Sequence, residues 1–226
     1  MDTLIIIPAR AGSKGLPGKN TSLLNGKPLI SYTIDFALNI KGTNDKLCVT
    51  TNDINVMKIV NEYLGINLIE RPDNLSDDSA GMTEVIEHTI NFYRLQNIKF
   101  KNVLLLQPTS PIRLIDDYLN LTNLLDAEAD MVVSVKESKT NPYFNLFEEN
   151  KLGFLRKSKI GSFKCRQDCP KVFEYNGSMY LFKLDSFMNF GLHGMNNIRK
   201  MEMPLDRSID IDDISDWKIA EFYLNN

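Results

Sequence analysis

Five short apolar runs, at residues 3–8, 46–51, 66–70, 102–107 and 131–135, recur along the chain with segments of helical period between them. That alternation narrows the open architectures more than any other feature. A short run rich in β-branched residues reads as a strand buried on both faces, which requires helices above and below it. Between the third and fourth runs, Thr83 to Tyr93 sets Val85, Ile86, Thr89, Ile90 and Tyr93 on one stripe, the spacing of a helix with one apolar face. The rhythm predicts a three-layer α/β fold with a mostly parallel sheet. Right-handed crossovers then bring the carboxyl ends of the strands to one edge, where ligands bind. The loops 9–20, 71–79 and 108–113 are expected to converge there.

From about Lys136 to Tyr175 the rhythm lapses into Asn, Pro, aromatic and basic residues, with a cationic stretch from Lys151 to Lys164. A structureless loop of that length is improbable in a compact domain, so residues 137–175 are expected to form an inserted β-arm that something ties down. The strand Gly177–Lys183 returns to the sheet. Asp213-Ile-Ser-Asp216 has the form of a helix cap, for a last helix ending near Leu224. The chain reads as a single domain, 1–226.

Composition excludes several function classes. A net charge of -3 over 226 residues, with scattered basic side chains, argues against nucleic acid as a partner. No apolar run approaches the ~20 residues of a membrane span, and no secretory leader is visible, so a cytoplasmic protein is expected. Three cysteines, Cys48, Cys165 and Cys169, suggest neither a disulfide framework nor zinc spacing. His88 and His193 have no ligand or triad spacing and read as non-catalytic.

The first run breaks at Pro8 into a loop with three glycines and the cations Arg10, Lys14 and Lys19. Glycines let backbone N–H groups close on an anion, and a guanidinium fork beside an ammonium suits a polyphosphate. The spacing fits neither a Walker motif nor GxGxxG. In Ser208-Ile209-Asp210-Ile211-Asp212-Asp213 the alternation suggests a strand end, with Asp210 and Asp212 on one face as hard oxygen ligands suited to Mg²⁺; Asp213 reads as the cap of the last helix. In Gln107-Pro108-Thr109-Ser110-Pro111-Ile112-Arg113 the prolines and Arg113 read as a rigid turn, whereas Gln107 emerges at the ligand edge.

These segments carry a resemblance. IPARAGSKGLPGKN is similar to the N-terminal signature of the cytidylyltransferases that activate sialic-acid-type sugars, the CMP-N-acylneuraminate synthetases and their bacterial nonulosonate relatives. LLLQPTSPIR (104–113) and RQDCPKVFEYNGSMY through RSIDIDD (166–213) match in order, over nearly the whole chain. The resemblance implies a Rossmann-like nucleotidyltransferase fold that joins CTP to a nine-carbon 2-keto sugar acid. It implies a nucleotide site at Ala9, Arg10, Gly12, Ser13, Lys19, Asn20 and Arg71, and sugar contacts from Gln107, Arg166 and Asn176. Asp210 and Asp212 correspond to the acidic pair that holds Mg²⁺, with Mn²⁺ as a substitute. Arg10, Lys19, Asp210 and Asp212 form the catalytic set, and the arm implies a homodimer. Arg10 and Lys19 are expected on an exposed loop where they serve the triphosphate and not the fold; Lys14 is left between phosphate and solvent. Two departures stand out: Met82 lies where sialate enzymes tend to carry a small polar residue, and Glu174 where they carry a second cation. Activation of the eight-carbon acid 3-deoxy-manno-octulosonate is one alternative. A noncatalytic nucleotide-binding module is another, although a pure binder has no need of two metal carboxylates.

Overall fold

The computed structural model describes residues 2–12, 15–76 and 81–225. Its elements in chain order are β1 (Thr3–Pro8), the two-residue strands β2 (Leu23–Leu24) and β3 (Lys27–Pro28), α1 (Leu29–Ile40), β4 (Lys46–Thr51), α2 (Ile54–Val60), β5 (Asn67–Glu70), α3 (Met82–Arg94), β6 (Asn102–Leu106) and α4 (Ile115–Asn123). There follow β7 (Met131–Glu137), β8 (Phe147–Glu149), β9 (Leu155–Lys157), β10 (Phe173–Lys183), α5 (Leu184–Gly194), β11 (Ile198–Glu202) and α6 (Ile214–Leu224).

Seven strands form one sheet in the order β11-β7-β10-β6-β1-β4-β5. Every neighbouring pair is parallel except those of β10, which runs antiparallel to β6 and β7. The period of two decides which layer each side chain joins. Ile5 and Ile7 of β1 pack with Ile30, Ile34 and Ala37 of α1 and Val56 and Val60 of α2. Leu4 and Ile6 face the other way, onto Ile86, Ile90 and Tyr93 of α3 and Phe187 of α5. Each such apolar side chain contributes about 1.5–3 kcal/mol on burial. All five residues of the Thr83–Tyr93 stripe are buried.

Three sequence expectations change. The returning strand begins at Phe173 and not at Gly177; because it runs antiparallel, its amino end lies at the ligand edge. Ser208–Asp213 pairs with no strand; at its middle Ile211 N donates to Thr109 O at 2.8 Å and Ile211 O accepts from Lys19 Nζ. The alternation nonetheless survives, since Ile211 is fully buried against Leu24, Leu29 and Ala220 while Asp210 and Asp212 turn away. β11 and α5, after β10, were not anticipated.

The arm leaves the sheet at the end of β7 and rejoins it at the start of β10. β8 and β9 pair within it, and Asn141 ties its base: Nδ2 donates to Pro170 O at 2.9 Å and Oδ1 accepts from Tyr143 N at 3.0 Å. Among its charged residues the hairpin exposes apolar side chains, with Phe147, Phe154 and Leu155 about half or more in solvent, and Ile160 just beyond it almost wholly so.

Candidate active site

The loops after β1, β5 and β6 meet at the carboxyl edge of the sheet, as the alternation predicts, and enclose a cleft of about 330 Å³, at the lower end of small-molecule sites. Arg10, Lys19, Asn20, Arg71, Gln107 and Asp212 line it, with Gly15, Met82 and Thr109 between them. Ser13, Lys14 and residues 77–79 of the second loop lie outside the described residues.

Lys19 is buried, not exposed as expected. Its Nζ donates to Ile211 O at 2.6 Å and to Asp212 Oδ1 at 3.2 Å, joining the first loop to the acidic segment. Gly15 makes that approach feasible, because a Cβ there would stand 2.0 Å from the Asp212 carbonyl oxygen. Asn20, also buried, reaches back with Nδ2 to Arg10 O at 3.4 Å. Arg71 is 4% exposed. Its backbone N donates to Thr51 O and its Nη2 to Thr50 O, whereas Nε is buried with no acceptor. Burial, and then the charge of Arg10, pull its pKa down to about 10. A cation so placed, with a spare donor, is matched to an anionic or carbonyl oxygen of a ligand. His88, read as non-catalytic, lies within the field of Arg71 and outside the cleft lining; burial and then that charge lower its pKa.

The two aspartates differ. The Asp212 side chain is 80% exposed and bound by Lys19. Asp210 is half-buried against Gly177, whose φ of +73° and absent side chain accommodate it; a Cβ would stand 2.6 Å from Asp210 Oδ2. Burial raises the Asp210 carboxyl above the usual range, and Thr109 and the charges of Lys19 and Lys136 pull the other way. Its Oδ1 is buried without a protein partner, the orphaned oxygen that a hard cation satisfies. Among the described residues no group of three or more His, Cys, Asp or Glu could hold a metal. Two carboxylates completed by phosphate and water oxygens still suit Mg²⁺. Asp213 caps α6, as predicted, accepting from Ser215 N and Asp216 N.

Several expected contacts are not brought to the cleft. Ala9 packs in the core with its N–H on Thr50 O and its carbonyl on the Thr51 hydroxyl. Gly12 is exposed and outside the lining. Arg166 lies on an exposed turn of the arm, beside a separate cavity with Glu137, Asn141 and Lys171. Asn176 is 1% exposed and fully engaged: Nδ2 donates to Ser208 Oγ and to Met203 Sδ, and Oδ1 accepts from Ser134 Oγ and Ser178 N. No donor or acceptor of this amide is left for a sugar, so it is a bolt of the scaffold. Glu174 pairs with Lys136 at 3.6 Å at the root of the arm. Arg113, read as part of a turn, is instead buried beneath the cleft. Its place among carbonyls is a tertiary fact with no local sequence signal.

The family model for cytidylyltransferases matches residues 4–190 of this chain. The "Post-translational flagellin modification protein B" of Campylobacter coli is 30% identical to it, covering 99% of this chain and 95% of that protein. The CMP-N,N'-diacetyllegionaminic acid synthase of Legionella pneumophila is 28% identical, covering 98% and 95%. Among solved structures, a CMP:2-keto-3-deoxy-manno-octonic acid synthetase complexed with CTP superposes with a TM-score of 0.69 over 99% of this chain and 98% of that one, at 18% identity.

Proposed function

Because the chain belongs to the cytidylyltransferase family, we propose that it joins CTP to a nine-carbon 2-keto sugar acid, sialic acid or a related nonulosonate such as legionaminate, giving the CMP-sugar and pyrophosphate. The supporting observation is that Arg10, Lys19, Arg71, Gln107 and Asp212 line one cleft at the sheet edge, with Asp210 outside its lining but within the fields of Lys19 and Asp212. Cations from two loops meet the triphosphate, and Gln107, the first residue past β6, offers its amide to the acceptor's hydroxyls. The anomeric hydroxyl attacks the α-phosphorus in line and pyrophosphate departs. Arg10 and Lys19 hold the negative charge that moves onto the leaving group, an electrostatic term that dominates such transfers.

Asp210 and Asp212 would hold Mg²⁺, or Mn²⁺, which neutralises phosphate charge and acidifies the attacking hydroxyl. The orphaned Asp210 Oδ1 supports this assignment. Lys19 keeps Asp212 turned toward the cleft. The two carboxylates also favour catalysis over a module that only binds nucleotide. The eight-carbon alternative rests on a structure alike in fold at 18% identity, and the synthase relatives favour the nine-carbon class.

The apolar side chains exposed on the hairpin support a homodimer, since an isolated two-stranded ribbon is marginal in water. In that assembly Arg166, outside its own cleft, serves the acceptor carboxylate through a neighbouring copy. No helix among the described residues is long and apolar enough to cross a membrane, and the site of action we propose is the cytoplasm.

The test is pyrophosphate release from CTP and Mg²⁺ with neuraminate, legionaminate, pseudaminate, deaminated and eight-carbon acids. Turnover with at least one nonulosonate, lost in Asp210→Ala and weakened in Asp212→Ala, is expected. Turnover with the eight-carbon acid alone, or with no acid, refutes the reading.

A further inference from the structure

Among the described residues, one buried cation takes no part in that chemistry. Arg113 is 9% exposed, and every acceptor that it meets is neutral. Nη1 donates to Thr33 Oγ1 at 2.9 Å, and Nη2 donates to both Gln107 O at 2.6 Å and Ser178 O at 2.9 Å. The guanidinium lies 5.7 Å from the centre of the Phe36 ring. Burial pulls its pKa down to about 9, against the charges of Asp210 and Asp117, so it remains a cation at neutral pH. Asp117 is already engaged by Arg207 through two bonds of 2.9 and 3.0 Å. Asp117 is thus not free for Arg113, and the other carboxylate whose charge bears on it is Asp210.

Its position in the fold explains what such a group can do. Leu106 and Met179 form the last rung of the β6–β10 ladder. Just beyond it, the carbonyls of Gln107 and Ser178 converge on a single guanidinium nitrogen. Gln107 lines the cleft. Ser178 follows Gly177, against whose backbone the Asp210 carboxylate rests. Thr33 belongs to α1, so one planar fork fastens a helix and two strand ends at the floor of the site. An uncompensated buried charge is costly, and an apolar side chain of similar volume would fill the space without that penalty. Stability alone does not account for an arginine here.

We propose that Arg113 is a positioning residue for nucleotidyl transfer: it fixes the Gln107 end of β6 against the Gly177–Ser178 end of β10 and thereby seats the Asp210 carboxylate. The inference rests on the cytidylyl-transfer reading above. Its test is Arg113→Lys in the full chain, which keeps the charge but loses the fork that reaches three acceptors at once. We expect CTP to bind within about threefold of the unaltered protein, while kcat at saturating substrates falls about a hundredfold, the scale of a misplacement near 1 Å. A kcat within about threefold, whatever the melting temperature does, overturns the proposal and makes Arg113 merely structural. Should Arg113→Lys not fold, Thr33→Val removes the α1 anchor without touching the cleft lining; a kcat lowered about fivefold with unchanged CTP affinity supports the proposal, and an unchanged kcat overturns it. If the unaltered chain turns over no acceptor, the reaction assignment fails, and that outcome is distinct from a variant effect.

Discussion

Lys19 and Ile211, separated by 192 residues in the chain, are joined by a 2.6 Å hydrogen bond from the ammonium to the backbone carbonyl. A side chain expected to serve only the triphosphate therefore also carries part of the fold. Lys19→Met leaves the Ile211 carbonyl without its partner and should cost about 1–3 kcal/mol of stability. Removing a positive charge from the phosphate site should also lower kcat/KM for CTP about a hundredfold. Thermal melting and steady-state kinetics on the same preparation check both. Unchanged melting with impaired kinetics would restore the view of Lys19 as a phosphate ligand alone.

Gly177 offers a sharper test of how Asp210 is seated. Gly177→Ala adds a methyl group 2.6 Å from the carboxylate, at a φ of +73°. Backbone strain should cost about 1–3 kcal/mol, and displacement of Asp210 should reduce kcat at least about tenfold. Gly65→Ala is the control, with a φ of +80° and open space around it; stability should fall there while turnover stays intact. Equal kinetic effects in the two variants would show that the carboxylate's seat is not what Gly177 provides.

For Asn176 the expected readout is stability and not specificity. Asn176→Ala removes the partner of the Ser178 N–H and one bond each from Ser134 and Ser208, whose hydroxyls keep Met179 and Met203, and should cost about 1–3 kcal/mol. The ranking of acceptor acids should stay the same in a pyrophosphate-release panel. A reordered ranking with unchanged melting would return this amide to the sugar site.

The arm's role is open to a mass measurement. Leu155, 62% exposed on the hairpin, should be covered in a dimer. Light scattering on the unaltered protein should give twice the 25.8 kDa of one chain, and Leu155→Glu should shift the population toward monomer. A monomeric unaltered protein would remove the dimer from the proposal.

What was legible in the sequence followed from local periodicity. The run 3–8 became β1 and the run 46–51 became β4 without a shift of boundary, and the Thr83–Tyr93 stripe is the buried face of α3, because spacing of two and of 3.6 is imposed by burial itself. Asp213 was legible as a cap for the same local reason. The direction of β10 was not, since a strand's pattern is identical whichever way it runs. Nor were the distant partners of Asn176, Lys19 and Arg113, which include the Ser134 hydroxyl, the Ile211 carbonyl and the Ser178 carbonyl, groups that carry no residue signature. Motif resemblance placed Asn176 at the right edge of the sheet but could not distinguish a group facing the ligand from one bolted beneath it.

The reversed strand β10 has a mechanical consequence. Because it starts where its antiparallel neighbours end, both roots of the arm, Glu137 and Phe173, are a paired rung at the carboxyl edge of the sheet. Asn176 and Gly177 lie only three and four residues past one root, with Lys136 and Glu174 bridging the two. The hairpin is thus a handle fixed directly to the jaw of the site, and whatever grips it also stiffens the wall on which Asp210 rests.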